Sequence, residues 1–166
     1  MGLLLVEAFR YHKWANGHLF SVCEGFTQEQ LQLTAPGTYG TIAATFQHLV
    51  GAEQGYIKRL GGREPRVNLR MDFPGIATLK TEMDRSDDEL IELAARIGPD
   101  DSINAQFQDG RFRVMSGVIL IQALHHGNDH RTHICTILGH HGMTYGDMDV
   151  WAYGDATGAI VPLAMT

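Results

Sequence analysis

Apolar residues recur at helical spacing along most of the chain, and the interruptions between them are rich in glycine and proline. Four apolar stripes are long enough for full helices, and they cover residues 3–24, 41–60, 76–97 and 116–138. Ser116 is placed to cap the last of these helices, and Gly139 is placed to stop it. Because each helix must bury one apolar face, the pattern predicts a four-helix bundle in a single domain, residues 1–166.

The connections carry shorter signals. Residues 27–31 predict one helical turn with a threonine cap, and residues 63–75, which contain two prolines, predict a loop. Residues 107–112 alternate apolar and polar side chains around Asp109-Gly110, which predicts a β-hairpin with a type I′ turn at that pair. We expect the glycine-rich tail, residues 140–166, to pack on the bundle as loop. The predicted fold class is therefore all-α, with a small hairpin before the last helix.

Composition excludes several classes of protein. Hydrophobic residues make up 44% and charged residues 19% of 166 positions, which is typical of a soluble domain whose core needs no disulfides. The net charge of −6 and the scattered Lys and Arg argue against duplex nucleic acid and anionic membranes as partners. The chain has no apolar run long enough to cross a bilayer and no recognisable signal peptide. We therefore expect a cytoplasmic protein with Cys23 and Cys135 as reduced thiols.

Histidine is the unusual residue, since the chain has nine and four of them lie between His125 and His133. At about 100° per residue, His126 and His130 point to the same side as the apolar residues of the fourth helix. One turn separates them, a spacing that lets two imidazoles chelate one ion. The alternative is a core pair bonded to backbone carbonyls. His133 lies two turns from His126, so a third ligand is expected from another helix.

Two histidines are candidates for that third ligand. His48, in the second helix, is the better one, because small residues surround it and leave room for a pocket. His18 falls on the apolar side of the first helix, and the residue pattern alone does not choose between the two. Three neutral histidines with an open position are typical of a catalytic divalent-metal site. Zinc is the metal expected in the cell, with nickel and iron as alternatives, since imidazole suits all three.

The chain offers no clear general base, and only Glu53 and Asp129 are candidates. Glu53 lies within the apolar stripe of the second helix. It could orient a liganding imidazole, or it could pair inside the core with Arg10 or Arg131.

Aromatic residues and the remaining histidines give weaker signals. Trp14 and Tyr56 are candidates for substrate contacts, although such residues more often belong to the core. We expect His12, His140 and His141 at the surface or at helix ends, without a function.

Several segments resemble the motifs of the DinB-like (DinB/YfiT) superfamily. Residues 11–16 are similar to its helix-one motif, residues 45–50 to its helix-two histidine motif, and residues 126–131 to its pattern of His, three residues, His, Arg. The 149–151 segment is also similar. These segments occur in the family's order along nearly the whole chain, and order and spacing together are more specific than any single motif.

The resemblance implies a four-helix bundle with a long crossover and a homodimer. It also implies a divalent metal held by His48, His126 and His130, which favours His48 over His18. The activity it implies is a transferase or isomerase that uses a low-molecular-weight thiol such as bacillithiol or mycothiol, or a metal-dependent hydrolase. The expected substrate is a small molecule met in stress or detoxification. The alternative is a non-catalytic bundle that binds a metal or another ligand.

Three positions depart from the family's pattern. Asp129 stands where the family usually has another histidine, and Thr132 and His133 stand where a small residue and a glutamine are usual. The three ligands are unaffected by these departures. We therefore expect a conventional metal centre with altered chemistry in the pocket around it.

Overall fold

Four long helices form the fold, as the apolar stripes predict. The computed structural model describes residues 2–68, 70, 72–107 and 109–163. Its elements are α1 (Gly2–Cys23), α2 (Gln28–Leu31), α3 (Ile42–Arg59), α4 (Ile76–Arg96), β1 (Ser102–Phe107), β2 (Gly110–Met115), α5 (Ser116–His140) and α6 (Val150–Thr157). The all-α bundle with one small hairpin is therefore confirmed. Parts of the predicted 63–75 loop, hairpin turn and tail lie outside the described residues.

Two connections cross the bundle. α1 packs against α4 and α5, and α3 packs against the same two helices, so α1 and α3 lie diagonally opposite each other. The chain therefore crosses the bundle between α1 and α3, through α2, and again between α4 and α5, through the hairpin. Among the described residues, no helix combines the length and the apolar character that crossing a membrane requires.

The core consists of two apolar clusters with a polar layer between them. The first cluster contains Phe20, Phe46, Leu79 and Ile134. The second contains Phe9, Ile57, Leu90 and Leu120. Between the two clusters, each long helix contributes at least one buried polar residue. We call this set the polar layer, and it consists of His12, Asn16, Glu53, Asp87 and Arg131. Each long helix therefore contributes to both clusters and to the layer.

The predicted turn of the hairpin is wrong by one position. β1 and β2 pair antiparallel, and Phe107 lies opposite Gly110, so Gly110 is the first residue of β2 and not part of the turn. Because Gly110 already pairs with Phe107, a type I′ turn centred on Asp109-Gly110 is excluded. Gly110 uses its conformational freedom inside the strand, at a φ of 149°. Gln108, the other turn residue, lies outside the described residues.

Ser116 does not cap α5, contrary to the prediction. β2 continues directly into α5, Met115 occupies the cap position, and its side chain makes no capping hydrogen bond. Ser116 is buried, and its backbone N–H donates to the carbonyl of Asp101 at 2.8 Å. A backbone contact with the preceding connection thus replaces the side-chain cap. α5 ends at His140, one residue beyond the predicted stop.

The tail contains a helix where we expected only loop. The side chain of Asp149 accepts a hydrogen bond from the N–H of Ala152, and Gly158, at a φ of 71°, ends α6. The ring of Tyr153 contacts the rings of Tyr11 and Trp14 on α1. A helix of 8 residues is marginal alone, so contact with α1 supplies the stability that the local pattern lacks.

The N-cap of α3 gives a test of local stability near the candidate site. The hydroxyl of Thr41 accepts from the N–H of Ala44 at 3.0 Å. We expect Thr41→Ala to lower the free energy of unfolding by about 1 kcal/mol, measured by urea denaturation, because it removes a capping hydrogen bond. Thr81→Ala is the matched control, since Thr81 is exposed within α4 and its hydroxyl donates to the carbonyl of Ala77 on the same helix. An equal loss in both variants would exclude the cap as the cause.

Candidate metal centre

Three histidine side chains from α3 and α5 meet at one point. The Nε2 atom of His126 lies 3.1 Å from the Nε2 of His48 and 3.1 Å from the Nε2 of His130. The ring centroids of the three are 4.3–5.0 Å apart. Nitrogens held at about 2.0–2.1 Å from one ion would be separated by about this much. The arrangement fits three ligands to a single cation better than a set of core histidines bonded to carbonyls.

Burial favours the form of these histidines that binds a cation. It lowers the pKa of His126 and His130 to about 4, and repulsion between the protonated rings adds to the effect. Burial also lowers the pKa of His48. The rings are therefore neutral near pH 7, with a lone pair free on one nitrogen.

The other ring nitrogens of the centre have no orienting partner. Within the part of the chain that the structure describes, the buried Nδ1 atoms of His48, His126 and His130 accept or donate no hydrogen bond. Metal-bound histidines usually donate this second N–H to a carboxylate or carbonyl. The orientation of these rings must therefore come from the packing of their helices and of neighbouring side chains.

The other candidate ligands lie elsewhere. The Nε2 atom of His18 lies 3.0 Å from the carbonyl of Tyr145, and its ring packs against Trp14. The structure thus brings His48, and not His18, to His126 and His130 on α5. The ring centroid of His133 is 5.3 Å from that of His130, beside the centre but outside the three converging nitrogens.

A second buried group lies in the polar layer. One oxygen or nitrogen from each of His12, Glu53 and Asp87 lies within 4.8 Å of the others, so two groups among the described residues could hold a divalent metal. However, Nη1 of Arg131 donates to Nδ1 of His12 at 3.1 Å, since arginine can only donate. The ring proton is then on Nε2, where it is donated to Oε1 of Glu53 at 2.8 Å. That nitrogen is already occupied, so the first group is the better metal centre.

The polar layer corrects two expectations from the sequence. His12 is fully buried and is not a surface histidine. Glu53 bonds to His12 and does not orient a liganding imidazole. Of the two arginines considered for Glu53, Arg131 shares the layer, whereas Arg10 lies at the surface and pairs with Glu7 at 3.1 Å.

Two carboxyl groups share the layer with one guanidinium. Burial raises the pKa of Glu53 to about 8, and the charge of Arg131 only partly opposes this. Burial and the neighbouring Glu53 raise the pKa of Asp87. Glu53 Oε2 and Asp87 Oδ2 have no hydrogen-bond partner among the described residues. The layer therefore favours a protonated carboxyl, which leaves Glu53 poorly suited to act as a general base at neutral pH.

Asp129, the other candidate base, is exposed. One of its carboxylate oxygens lies 3.2 Å from Nε2 of His125, one turn earlier on α5. Asp129 lies between His126 and His130 in sequence, but it is exposed on the outer face of the helix.

The rings of Tyr39 and Tyr56 contact the ligand histidines, and Tyr39 is not among the residues that the sequence predicted. The ring of Tyr39 stacks on His48 with centroids 4.2 Å apart and meets the ring of His130 edge-on at 5.0 Å. Tyr39 is 47% exposed and lies in the connection before α3, where no periodic pattern could mark it. The ring of Tyr56 meets His126 edge-on at 5.7 Å, whereas Trp14 packs against His18 and Tyr153, away from the centre.

Comparison with known protein families shows which family the chain belongs to. The sequence model of the DinB family matches residues 1–162. The chain belongs to the DinB family. The resemblance that its motifs suggested is thus confirmed, and its three converging histidines are those that the resemblance implies. Comparison with curated proteins gives no match.

The buried carboxyl of Glu53 gives a pH-dependent test of this layer. A carboxyl whose pKa rises from 4.5 to about 8 on folding stabilises the protein below pH 4.5, and this contribution is lost as the pH rises through 8. Glu53→Gln keeps an acceptor for His12 but cannot ionise. We therefore expect the difference in free energy of unfolding between Glu53→Gln and wild type to shift in favour of the variant by about 1–3 kcal/mol from pH 5 to pH 8. Urea denaturation in the presence of a chelator measures this.

Glu92→Gln is the control, because Glu92 is exposed on α4. Its difference from wild type should not change over the same pH range. A flat difference for Glu53→Gln as well would mean that Glu53 is not held protonated by the fold.

Proposed function

We propose that this DinB-family protein is a metal-dependent transferase that joins a low-molecular-weight thiol to a small electrophilic substrate. His48, His126 and His130 would hold the divalent cation, with zinc as the metal in the cell. The observation that carries the proposal is the approach of three Nε2 atoms, 3.1 Å from one to the next, in neutral imidazoles.

The ligand set favours catalysis over a structural role. Three protein ligands leave a position open, whereas structural zinc sites usually have four. His48 and His126 are only partly buried, and Tyr39 beside them is 47% exposed, so a small molecule has access. When bound, a divalent cation supplies Lewis acidity that lowers the pKa of a thiol or a water. The three imidazoles bring no negative charge that would weaken this effect.

The proposed transfer is a nucleophilic substitution or addition at carbon. The thiol gives its proton to solvent, and its sulfur forms a bond to the electrophilic carbon. In a substitution, the leaving group departs with the electrons of the bond that breaks. In an addition, a π bond of the substrate breaks, and the atom that receives its electrons takes a proton from solvent. The side chains around the centre would position the sulfur, and the exposed ring of Tyr39 would border the substrate.

Metal content tests the ligands directly. We expect metal-free protein to take up about one Zn²⁺ per chain, measured by elemental analysis after dialysis of untagged protein. His48→Ala, His126→Ala and His130→Ala should each weaken binding at least about tenfold, because two imidazoles cannot close the site.

His125→Ala is the matched control for metal content. His125 immediately precedes His126 but is exposed and pairs with Asp129. Its zinc content should equal that of wild type. Binding that survives in all three ligand variants would contradict the proposed centre.

Activity distinguishes the proposed transferase from its alternatives. Zinc-loaded protein is incubated with monochlorobimane and, in turn, bacillithiol, mycothiol and cysteine, and the fluorescent conjugate is measured. We expect turnover with at least one thiol, and we expect His126→Ala to fall to the uncatalysed rate. Metal-dependent hydrolysis of a simple ester without any thiol effect would favour a hydrolase. Tight zinc binding with no turnover of either kind would favour a non-catalytic binding protein.

A homodimer and a cytoplasmic location remain predictions. Sedimentation at several protein concentrations would test the dimer. Neither prediction is needed for the metal centre, whose three proposed ligands all come from one chain.

A further inference from the structure

His12 connects the two helices that carry the proposed metal ligands. It projects from α1, and its ring is fully buried. Its Nε2 donates to Glu53 on α3 at 2.8 Å, and its Nδ1 accepts from Arg131 on α5 at 3.1 Å. We propose that His12 is a positioning residue, which sets the distance between α3 and α5 and thereby the geometry of the metal centre. This inference rests on the metal centre of the proposed function.

The contacts of His12 on α5 lie directly beside the ligands. Arg131 follows His130, and Gly127 follows His126. The ring of His12 packs against Gly127 so closely that a Cβ atom at that position would overlap its Cε1. Each α5 ligand is therefore followed by a residue that touches His12. A shift of this ring would move the backbone on which both ligands are carried.

The contact on α3 completes the bridge. Glu53 lies five residues after His48 on the same helix. Because Arg131 can only donate, the tautomer of His12 is fixed, and the two hydrogen bonds define opposite edges of one ring. The imidazole ring of His12 therefore acts as a spacer between α3 and α5. α3 and α5 also pack directly against each other, so the ring acts together with that contact to hold the two helices at their distance.

The centre is sensitive to this spacing because its own side chains do not fix it. The Nδ1 atoms of the three ligands lack hydrogen-bond partners among the described residues. One ligand comes from α3 and two come from α5. Metal affinity then depends on how accurately the two helices are held, and residues outside the ligand set typically change affinity by about 10–100-fold.

Substitutions of His12 test the bridge. We expect His12→Ala to weaken Zn²⁺ binding by about 10–100-fold, measured by competition with a chromophoric chelator. The visible spectrum of the Co²⁺-loaded protein should also change, since it reports ligand geometry. His12→Gln can still donate to Glu53, and His12→Asn can still accept from Arg131. Each should restore part of the affinity that His12→Ala loses.

Gly127→Ala tests the same contact without altering His12. The added methyl group would displace the ring, so we expect weaker Zn²⁺ binding and a changed Co²⁺ spectrum. Gly117→Ala is the matched control on α5, because a Cβ atom there would meet nothing within 4 Å. Leu90→Ala is the control for stability, since it opens the second apolar cluster on α4, which carries no ligand. Both controls should bind Zn²⁺ as wild type does.

The outcomes separate this inference from the proposed function. If wild-type protein binds no Zn²⁺, or binds it without the three histidines, the metal centre fails and the bridge fails with it. If wild type binds through those histidines while folded His12 and Gly127 variants keep its affinity and Co²⁺ spectrum, only the bridge is overturned. Should His12→Ala not fold, the Gln, Asn and Gly127 variants decide. If Leu90→Ala lost as much Zn²⁺ affinity as the His12 and Gly127 variants, the bridge would also be overturned.

Discussion

Charged and polar groups buried between two apolar clusters constrain the whole bundle. A buried polar group is costly unless it has partners, and a buried charge is costlier still. The partners within the polar layer depend on all four long helices presenting their residues at one level. Arg131 of α5 donates to Asn16 and His12 of α1, and these two residues donate to Asp87 and Glu53. A helix that slipped by one turn would leave its polar residue inside an apolar cluster. The layer therefore fixes the register of the helices as well as their neighbours.

The three converging histidines lie at the same level of the bundle as the polar layer. On α5, residues 126 and 130 face the centre, and residues 127 and 131 face His12 in the layer. The same helical period thus places two adjacent rows of residues on α5. One row is the neutral pair His126 and His130, and the other contains Gly127 and the charged Arg131. The neutral row keeps a cation's charge available for chemistry, whereas Arg131 in the other row donates its hydrogen bonds to His12 and Asn16. Separating the two rows lets the protein bury a guanidinium and two carboxyl groups without placing a carboxylate on the metal.

Much of this could be predicted from the sequence, because helical period is a local property. The long helices and the pair of His126 and His130 follow from spacing of three and four residues. The choice of His48 over His18 required the resemblance to a family, since the distance of either residue to α5 depends on packing. His12 could not be found, because its partners are 41 and 119 residues away and nothing nearby distinguishes it from a surface histidine. α6 was missed for the opposite reason: Asp149 and Gly158 do mark its ends, but only contact with α1 makes so short a helix stable.

The positions that depart from the family pattern have unequal consequences. Asp129 and Thr132 are exposed, and their side chains bond to His125 and to the carbonyl of Asn128 within α5. A change at either position leaves the three converging nitrogens as they are. His133 differs, because its ring touches that of His130 and its buried Nδ1 has no hydrogen-bond partner among the described residues. On the exposed side, the ring of Tyr39 covers His48 and His130. Of the three departures, His133 is therefore the one that lies close enough to the centre to alter the surroundings of a substrate.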